Sequence, residues 1–297
     1  MNILIAGGTG FIGTALCAYL LKKGHDVVVK TRNTQSVSAN IKAISDLSQI
    51  TADQTFDAVI NLAGEPIANK RWSASQVRKI LESRLQTTEE LIEFFKASKH
   101  KPAVFISSSA IGYYGTDTTD DEINEEGSGD LSFSSTLCAK WEASALQAET
   151  LGIRTCVLRT GIVLGKGGGA LAKMLPPFKL GLGGKIGTGK QWMSWIHLSD
   201  MVAIIDYCIH QEDLRGAINC TAPKPVTNHD FTKALGGAIH RPTVFNMPAI
   251  AIKVLMGKMG QELLLAGKKV VPARLQASGF KFDYQQIDAA LAEVLKK

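Results

Sequence analysis

The chain has 297 residues, enough for one large domain or for a domain carrying a smaller lobe, and its 45% hydrophobic and 20% charged content is ordinary for a globular protein. A net charge of +6 suits the gathering of anionic small molecules, but no basic run interleaved with aromatics occurs, so no nucleic-acid partner is expected. The five cysteines (Cys17, Cys138, Cys156, Cys208, Cys220) show no Cys-x-x-Cys or Cys/His ligand spacing, which supports neither a disulfide framework nor a metal site.

No signal-peptide pattern and no apolar run near ~18 residues is found, so the expected location is cytoplasmic, without a membrane partner. In chain order, apolar runs at 2–6, 26–30, 57–62, 103–107 and 154–158 read as strands, with helices near 11–23, 75–98 and 135–150. Continuous apolar strands separated by helices imply a parallel sheet covered on both faces, a doubly wound α/β fold of Rossmann type. Residues 165–190 then change character, with nine glycines, five lysines and no acid. A strand–helix pattern returns over 194–210 and 216–222, and the chain from 226 onward reads as helical, with Met- and Leu-rich stretches at 247–265. The expected division is a nucleotide-binding domain over 1–165, with 191–225 returning to it. A smaller, mainly helical substrate lobe would be formed by 166–190 and 226–297. A monomer or a homodimer is compatible with this pattern.

GGTGFIG (7–13) follows the first strand and opens a helix. Gly7, Gly10 and Gly13 suit a tight strand-to-helix turn, close backbone approach to a diphosphate, and helix–strand packing. Thr9, Phe11 and Ile12 complete the turn, whose helix N-terminus offers N–H groups to an anion. The second strand ends in VVVKTRN (27–33), where an acidic residue would bind the adenine ribose hydroxyls and repel a 2′-phosphate. Lys30, Thr31 and Arg32 stand there instead. A charge-assisted hydrogen bond to phosphate contributes ~1.5–3 kcal/mol, so NADP(H) is favoured over NAD(H), with Arg32 as the main phosphate contact.

With GGTGFIG, DAVINLAGEP (57–66), FISSSAIGYYG (105–115), LRTGIVLG (158–165) and WIHLSDM (195–201) in that order, the chain resembles the extended short-chain dehydrogenase/reductase superfamily. NLAGEPI, ESRLQTTEEL, SSSAIGYYG and LCAKWE are similar to an atypical branch, the epimerase-like or sugar-nucleotide epimerase-related family, and the likeness continues through KKVVPARLQASGF (268–280). The resemblance implies hydride transfer at a carbinol or carbonyl carbon. It implies cofactor contacts from Asn61, Leu62, Ala63 and Gly64, from Arg84 to the phosphates, and from the backbone around Ile162 to the nicotinamide. It also implies that Ser109 hydrogen-bonds the reacting oxygen.

The superfamily's phenol–lysine pair, Tyr-x-x-x-Lys on one helix face, is missing from the expected helix. The one such spacing, Tyr19 and Lys23, lies in the helix after the glycine loop, and the expected positions hold Cys138 and Glu142. Three substitutes are open. Tyr113 or Tyr114 offers a phenol or is a packing aromatic; Glu142 is a base, a ribose ligand or a surface acid; Cys138 is a nucleophile or a small buried hydrophobe. Glu65 is a further carboxylate aimed at the cleft. On the substrate side, the lysine-rich 165–190 segment suits a flexible lid over an anionic small molecule. Trp195 and His197 follow that lid as substrate contacts or core residues, and Trp72 and Trp141 either wall an apolar pocket or pack the core. A rival class is an NADP(H)-binding sensor without catalysis.

Overall fold

The computed structural model describes residues 1–51 and 53–296. The chain runs β1 (Asn2–Ala6), α1 (Phe11–Lys22), β2 (Asp26–Lys30), β3 (Lys42–Ile44), β4 (Ala58–Asn61), α2 (Ala74–Ala97), β5 (Val104–Ala110), β6 (Glu122–Ile123) and α3 (Phe133–Leu146). It continues through β7 (Arg154–Thr160), β8 (Ile162–Leu164), α4 (Gly169–Lys179), β9 (Trp192–Met193), β10 (Trp195–His197), α5 (Leu198–His210) and β11 (Gly216–Cys220). The last helices are α6 (Asn228–Ala238), α7 (Ala249–Gly260), α8 (Ala273–Ala277) and α9 (Ile287–Val294).

Seven strands form one parallel sheet in the order β11-β7-β5-β4-β1-β2-β3. The period-two alternation of strand side chains explains its two cores. Ile3 and Ile5 of β1 join Val27, Val29, Leu16 and the α5 residues Val202 and Ile205 on one face. Leu4 and Ala6 join Val28, Val59, Leu91, Ile92 and Phe95 on the other. Burial on both faces is why these strands read as continuous apolar runs. Strand order changes direction beside β1, which opens a crevice at the carboxyl ends of β1 and β4.

A third core belongs to the smaller lobe, where Leu164, Leu171, Phe178, Trp195, Phe231, Leu235 and Leu291 cluster. The glycine-rich 165–190 segment is therefore not simply a flexible cover, because its centre is the helix α4. Leu171, Met174, Leu175 and Phe178 repeat at helical spacing and pack into this core. That stripe outweighs Pro176 and Pro177, which sit in the last turns of the helix. The C-terminal piece is shared between the two bodies: Leu275 and Phe282 pack into the sheet's first core, whereas α9 returns to the lobe. No helix among the described residues is long and apolar enough to cross a membrane.

Candidate active site

The turn from β1 into α1 is a cradle built by absent side chains. Gly7 has φ +83°, and a Cβ there would lie 2.7 Å from the Ala63 nitrogen, so this turn and the loop after β4 touch backbone to backbone. A Cβ on Gly13 would come within 2.3 Å of the Gly7 carbonyl oxygen, which is why α1 can start so close to the strand. Gly10 caps α1 without any side-chain hydrogen bond, leaving the first-turn N–H groups directed at the crevice. Phe11 closes one end: a Cβ on Gly168 would lie 2.3 Å from its ring.

At the end of β2, Thr31 and Thr9 hydroxyls lie 3.4 Å apart, and Lys30 is tied to Glu90 by an ion pair at 2.5 Å. Arg32 is exposed and makes no side-chain hydrogen bond or ion pair among the described residues. After β4, buried Asn61 accepts from the Ala63 N–H at 3.1 Å and donates to Thr88 at 3.0 Å, which holds the Leu62–Gly64 loop against β1. Arg84 supports the same loop. Its guanidinium lies under Gly64, donates to the Glu65 and Ile80 carbonyls at 3.1 and 3.0 Å, and faces the Trp141 ring at 5.0 Å. Burial lowers its pKa from the ordinary arginine value.

Beside the cradle, the carboxyl end of β5 and the facing side of α3 carry a buried polar network. Ser109 donates to Glu142 Oε1 at 2.6 Å. Arg159, from the adjacent strand β7, clamps Glu142 in a fork, Nε to Oε1 at 2.9 Å and Nη2 to Oε2 at 2.8 Å. Its Nη1 donates to the Tyr114 hydroxyl at 2.9 Å and to the Glu125 carbonyl at 3.1 Å, and Tyr114 donates in turn to Asn219 at 2.7 Å. The Tyr113 ring lies on the guanidinium, 3.5 Å from its carbon. Burial opposes the charge of Arg159, but the hydrogen bonds and charge of Glu142 outweigh it and raise its pKa. Burial pushes the Tyr114 phenol up to about 12.

Glu142 is therefore no surface acid. Its side chain is 8% exposed, close to the 6% of Arg159, and the two form an internal ion pair between α3 and β7. Cys138 is buried and its thiol is pushed up to about 11, chiefly by burial, which keeps it neutral and argues against the nucleophile reading. Tyr113 and Ser109 share one edge of the network, whereas Tyr114 is fully engaged within it.

Other expected site residues lie elsewhere. Trp195 is 0% exposed in the lobe core, with its indole N–H on the Lys224 carbonyl, so it packs rather than lines the cleft. His197 caps α5, bonds Ser199 and Glu293 at 2.6 and 2.8 Å, and stacks on Tyr284 at 3.9 Å, so of its two readings the geometry matches the core one, fastening the C-terminal helix. Trp141 donates to Thr88 at 3.1 Å beneath Arg84. The Glu65 carboxylate turns to Gln76 and Lys79 of α2. Ile162 lies in β8, half-buried against the lobe core.

The sequence shows neither the role of Arg159 nor the contact that Lys173, one of the five lysines of 165–190, makes. Arg159 interrupts an apolar strand, TCVLRT, and a cation in a strand buried on both faces demands a carboxylate partner; that demand was the available signal. Lys173 of α4 reaches the Ala68 carbonyl and Asn69 Oδ1 at 2.7 and 2.6 Å, strapping the lobe to the loop after β4. No sequence pattern announces that contact.

A parallel sheet of this order with a glycine cradle at its switch point is the fold of an extended short-chain dehydrogenase/reductase. The chain belongs to the NAD dependent epimerase/dehydratase family, whose model matches residues 3–220, while residues 247–294 match a domain of unknown function, DUF1731. The mouse epimerase family protein SDR39U1 is 39% identical over 99% of this chain and 100% of its own, and YfhF of Bacillus subtilis 35% identical over 99% and 98%. The crystal structure of human SDR39U1 (isoform 2) with NADPH superposes with a TM-score of 0.91 at 35% identity, covering 100% of both chains. UDP-glucose 4-epimerase of Thermotoga maritima, solved with UDP-glucose, shares the fold (TM-score 0.79) at 18% identity, covering 99% and 97%.

Proposed function

We propose that this protein is an NADP(H)-dependent oxidoreductase of the epimerase type, acting on a small, anionic carbonyl or carbinol substrate. The observation that carries the reading is the cradle, where uncapped N–H groups of α1, a turn only glycine leaves open, and an exposed Arg32 stand where a 2′-phosphorylated dinucleotide would lie. The human relative solved with NADPH supports the same choice.

When bound, the nicotinamide supplies or accepts a hydride. Gly7, Gly10 and Gly13 would hold the diphosphate, Thr31 and Arg32 the adenine-ribose phosphate, and Asn61 the loop that lies against the cofactor. Arg84 directs only one of its nitrogens to carbonyls, which leaves the others for a phosphate. Ser109 orients the reacting oxygen. Its own proton is held by Glu142, which leaves the Ser109 oxygen as an acceptor for a substrate hydroxyl. Arg159 balances the charge of Glu142 and fixes the Tyr113 ring, whose hydroxyl is the remaining donor at this edge. Lys173 straps α4 to the loop after β4, and Lys179 at the end of the same helix adds positive charge on the substrate side.

The rival reading, a cofactor-binding sensor without turnover, is favoured by one observation. Glu142 and Arg159 neutralise each other, and neither matches the ammonium that activates a phenol in the parent superfamily. A screen of carbonyl metabolites with NADPH, followed at the nicotinamide absorbance, separates the two. Turnover that collapses in Ser109→Ala supports the enzyme; tight NADPH binding with no turnover on any carbonyl supports the sensor.

A further inference from the structure

On the side of the sheet opposite the cleft, the turn that enters β2 meets the end of α5. His25, Asp206 and His210 converge there, each offering one ligand atom, and those atoms lie within 4.8 Å of one another. Asp206 and His210 are one helical turn apart and so share a face. Asp206 is 7% exposed and uses only half of its carboxylate. Oδ2 takes Lys23 at 2.6 Å and Tyr19 at 3.3 Å, whereas Oδ1 is buried without a hydrogen-bond partner among the described residues.

A buried carboxylate oxygen left bare is costly, and a group of this kind calls for a missing partner. His210 Nδ1 lies 2.9 Å from the Asp206 carbonyl and 3.7 Å from Oδ1. Burial, followed by the nearby Met1 amino group, lowers the pKa of His25 and favours the neutral imidazole that a metal needs.

We propose that His25, Asp206 and His210 form a binding site for a zinc-class divalent transition-metal ion, with water completing the coordination. Two imidazoles and one carboxylate are a donor set that zinc accepts, and a tetrahedral ion with ligands at ~2.0–2.1 Å draws them to about 3.4 Å apart. The contraction is within reach because His210, 53% exposed, can turn towards Oδ1. Bound there, the ion would clamp the α1–β2 turn to the end of α5. Cys-free and remote from the crevice, the site is separate from the proposed cofactor cleft. Lys23 on Oδ2 and the Met1 amino group, 3.4 Å from His25 Nδ1, are the opposing cations, so the affinity should be moderate.

The test is calorimetric titration of the chelator-treated full-length protein with zinc, paired with the visible spectrum of the cobalt-loaded form. One saturable site is expected, weakened at least ~10-fold in His25→Ala and in His210→Ala and tightened in Lys23→Met. Zinc should raise the melting temperature of the wild type and not that of the His25→Ala/His210→Ala double variant. Both histidines lie at the surface of a turn and a helix end, and retained NADPH binding serves as the check that these variants fold. Absence of saturable zinc binding, or binding unchanged in the double variant, overturns the proposal.

Discussion

Replacing Arg159 with leucine strips Glu142 of the one cation that pairs with it among the described residues, while leaving it buried. The guanidinium makes four hydrogen bonds, two to the Glu142 carboxylate, one to the Tyr114 hydroxyl and one to the Glu125 carbonyl. After the change, Glu142 keeps one donor, the Ser109 hydroxyl. Breaking a buried pair from one side costs about 3–5 kcal/mol because a desolvated charge is left behind. The partners are 6% and 8% exposed, so little of this is screened by water. Removing both charges as Arg159→Leu/Glu142→Leu should recover at least ~1–2 kcal/mol relative to the sum of the two single changes. Urea unfolding monitored by circular dichroism reads the effect as a lower midpoint at unchanged slope. NADPH affinity should change little, since the cradle shares no hydrogen bond with Arg159. A single-variant cost under ~1 kcal/mol, or strict additivity in the double variant, would refute the reasoning.

Gly7→Ala places a Cβ 2.7 Å from the Ala63 nitrogen at a φ of +83°, so it should cost roughly 1–3 kcal/mol of stability and abolish measurable NADPH binding; undiminished binding by fluorescence titration would contradict the cradle. Tyr114 keeps its proton to about 12 when folded, against ~10 unfolded, so its contribution is intact below pH 10 and is lost as pH rises towards 12. Wild-type stability should accordingly fall across that window by up to ~1.4 kcal/mol per pH unit more than in Tyr114→Phe, and parallel pH profiles would count against a buried phenol. Burial holds the Cys138 thiol neutral, with a pKa near about 11, so a thiol reagent at pH 8 should modify it only after denaturant is added. Rapid labelling of folded protein at Cys138, read by peptide mapping, would revive a nucleophilic role.

The doubly wound sheet was legible because its signals are local: apolar strands at β1, β2, β4, β5 and β7 and the glycine turn each carry their own pattern. The strand β3 was not, since Lys42-Ala43-Ile44 is three residues at the sheet edge with one buried side chain. The composition of 165–190, rich in glycine and with two prolines at its centre, points to a flexible cover. The helix α4 exists because a lobe core, assembled from residues far away in sequence, receives its apolar stripe. The same non-locality hid the candidate site's core. The departure at Cys138 and Glu142 was visible, but not that Arg159, 17 residues on, would pair with Glu142 across strand and helix. His197 and Trp195 sat beside the expected lid in sequence, yet their side chains point into the lobe, which only packing decides.

The comparison of NADPH with NADH affinity, measured by nicotinamide fluorescence in the wild type and in Arg32→Ala, tests the central claim most directly. A charge-assisted phosphate contact of ~1.5–3 kcal/mol predicts NADPH binding at least about tenfold tighter, with most of that gap gone in the variant. Equal affinities for the two cofactors in the wild type would contradict it.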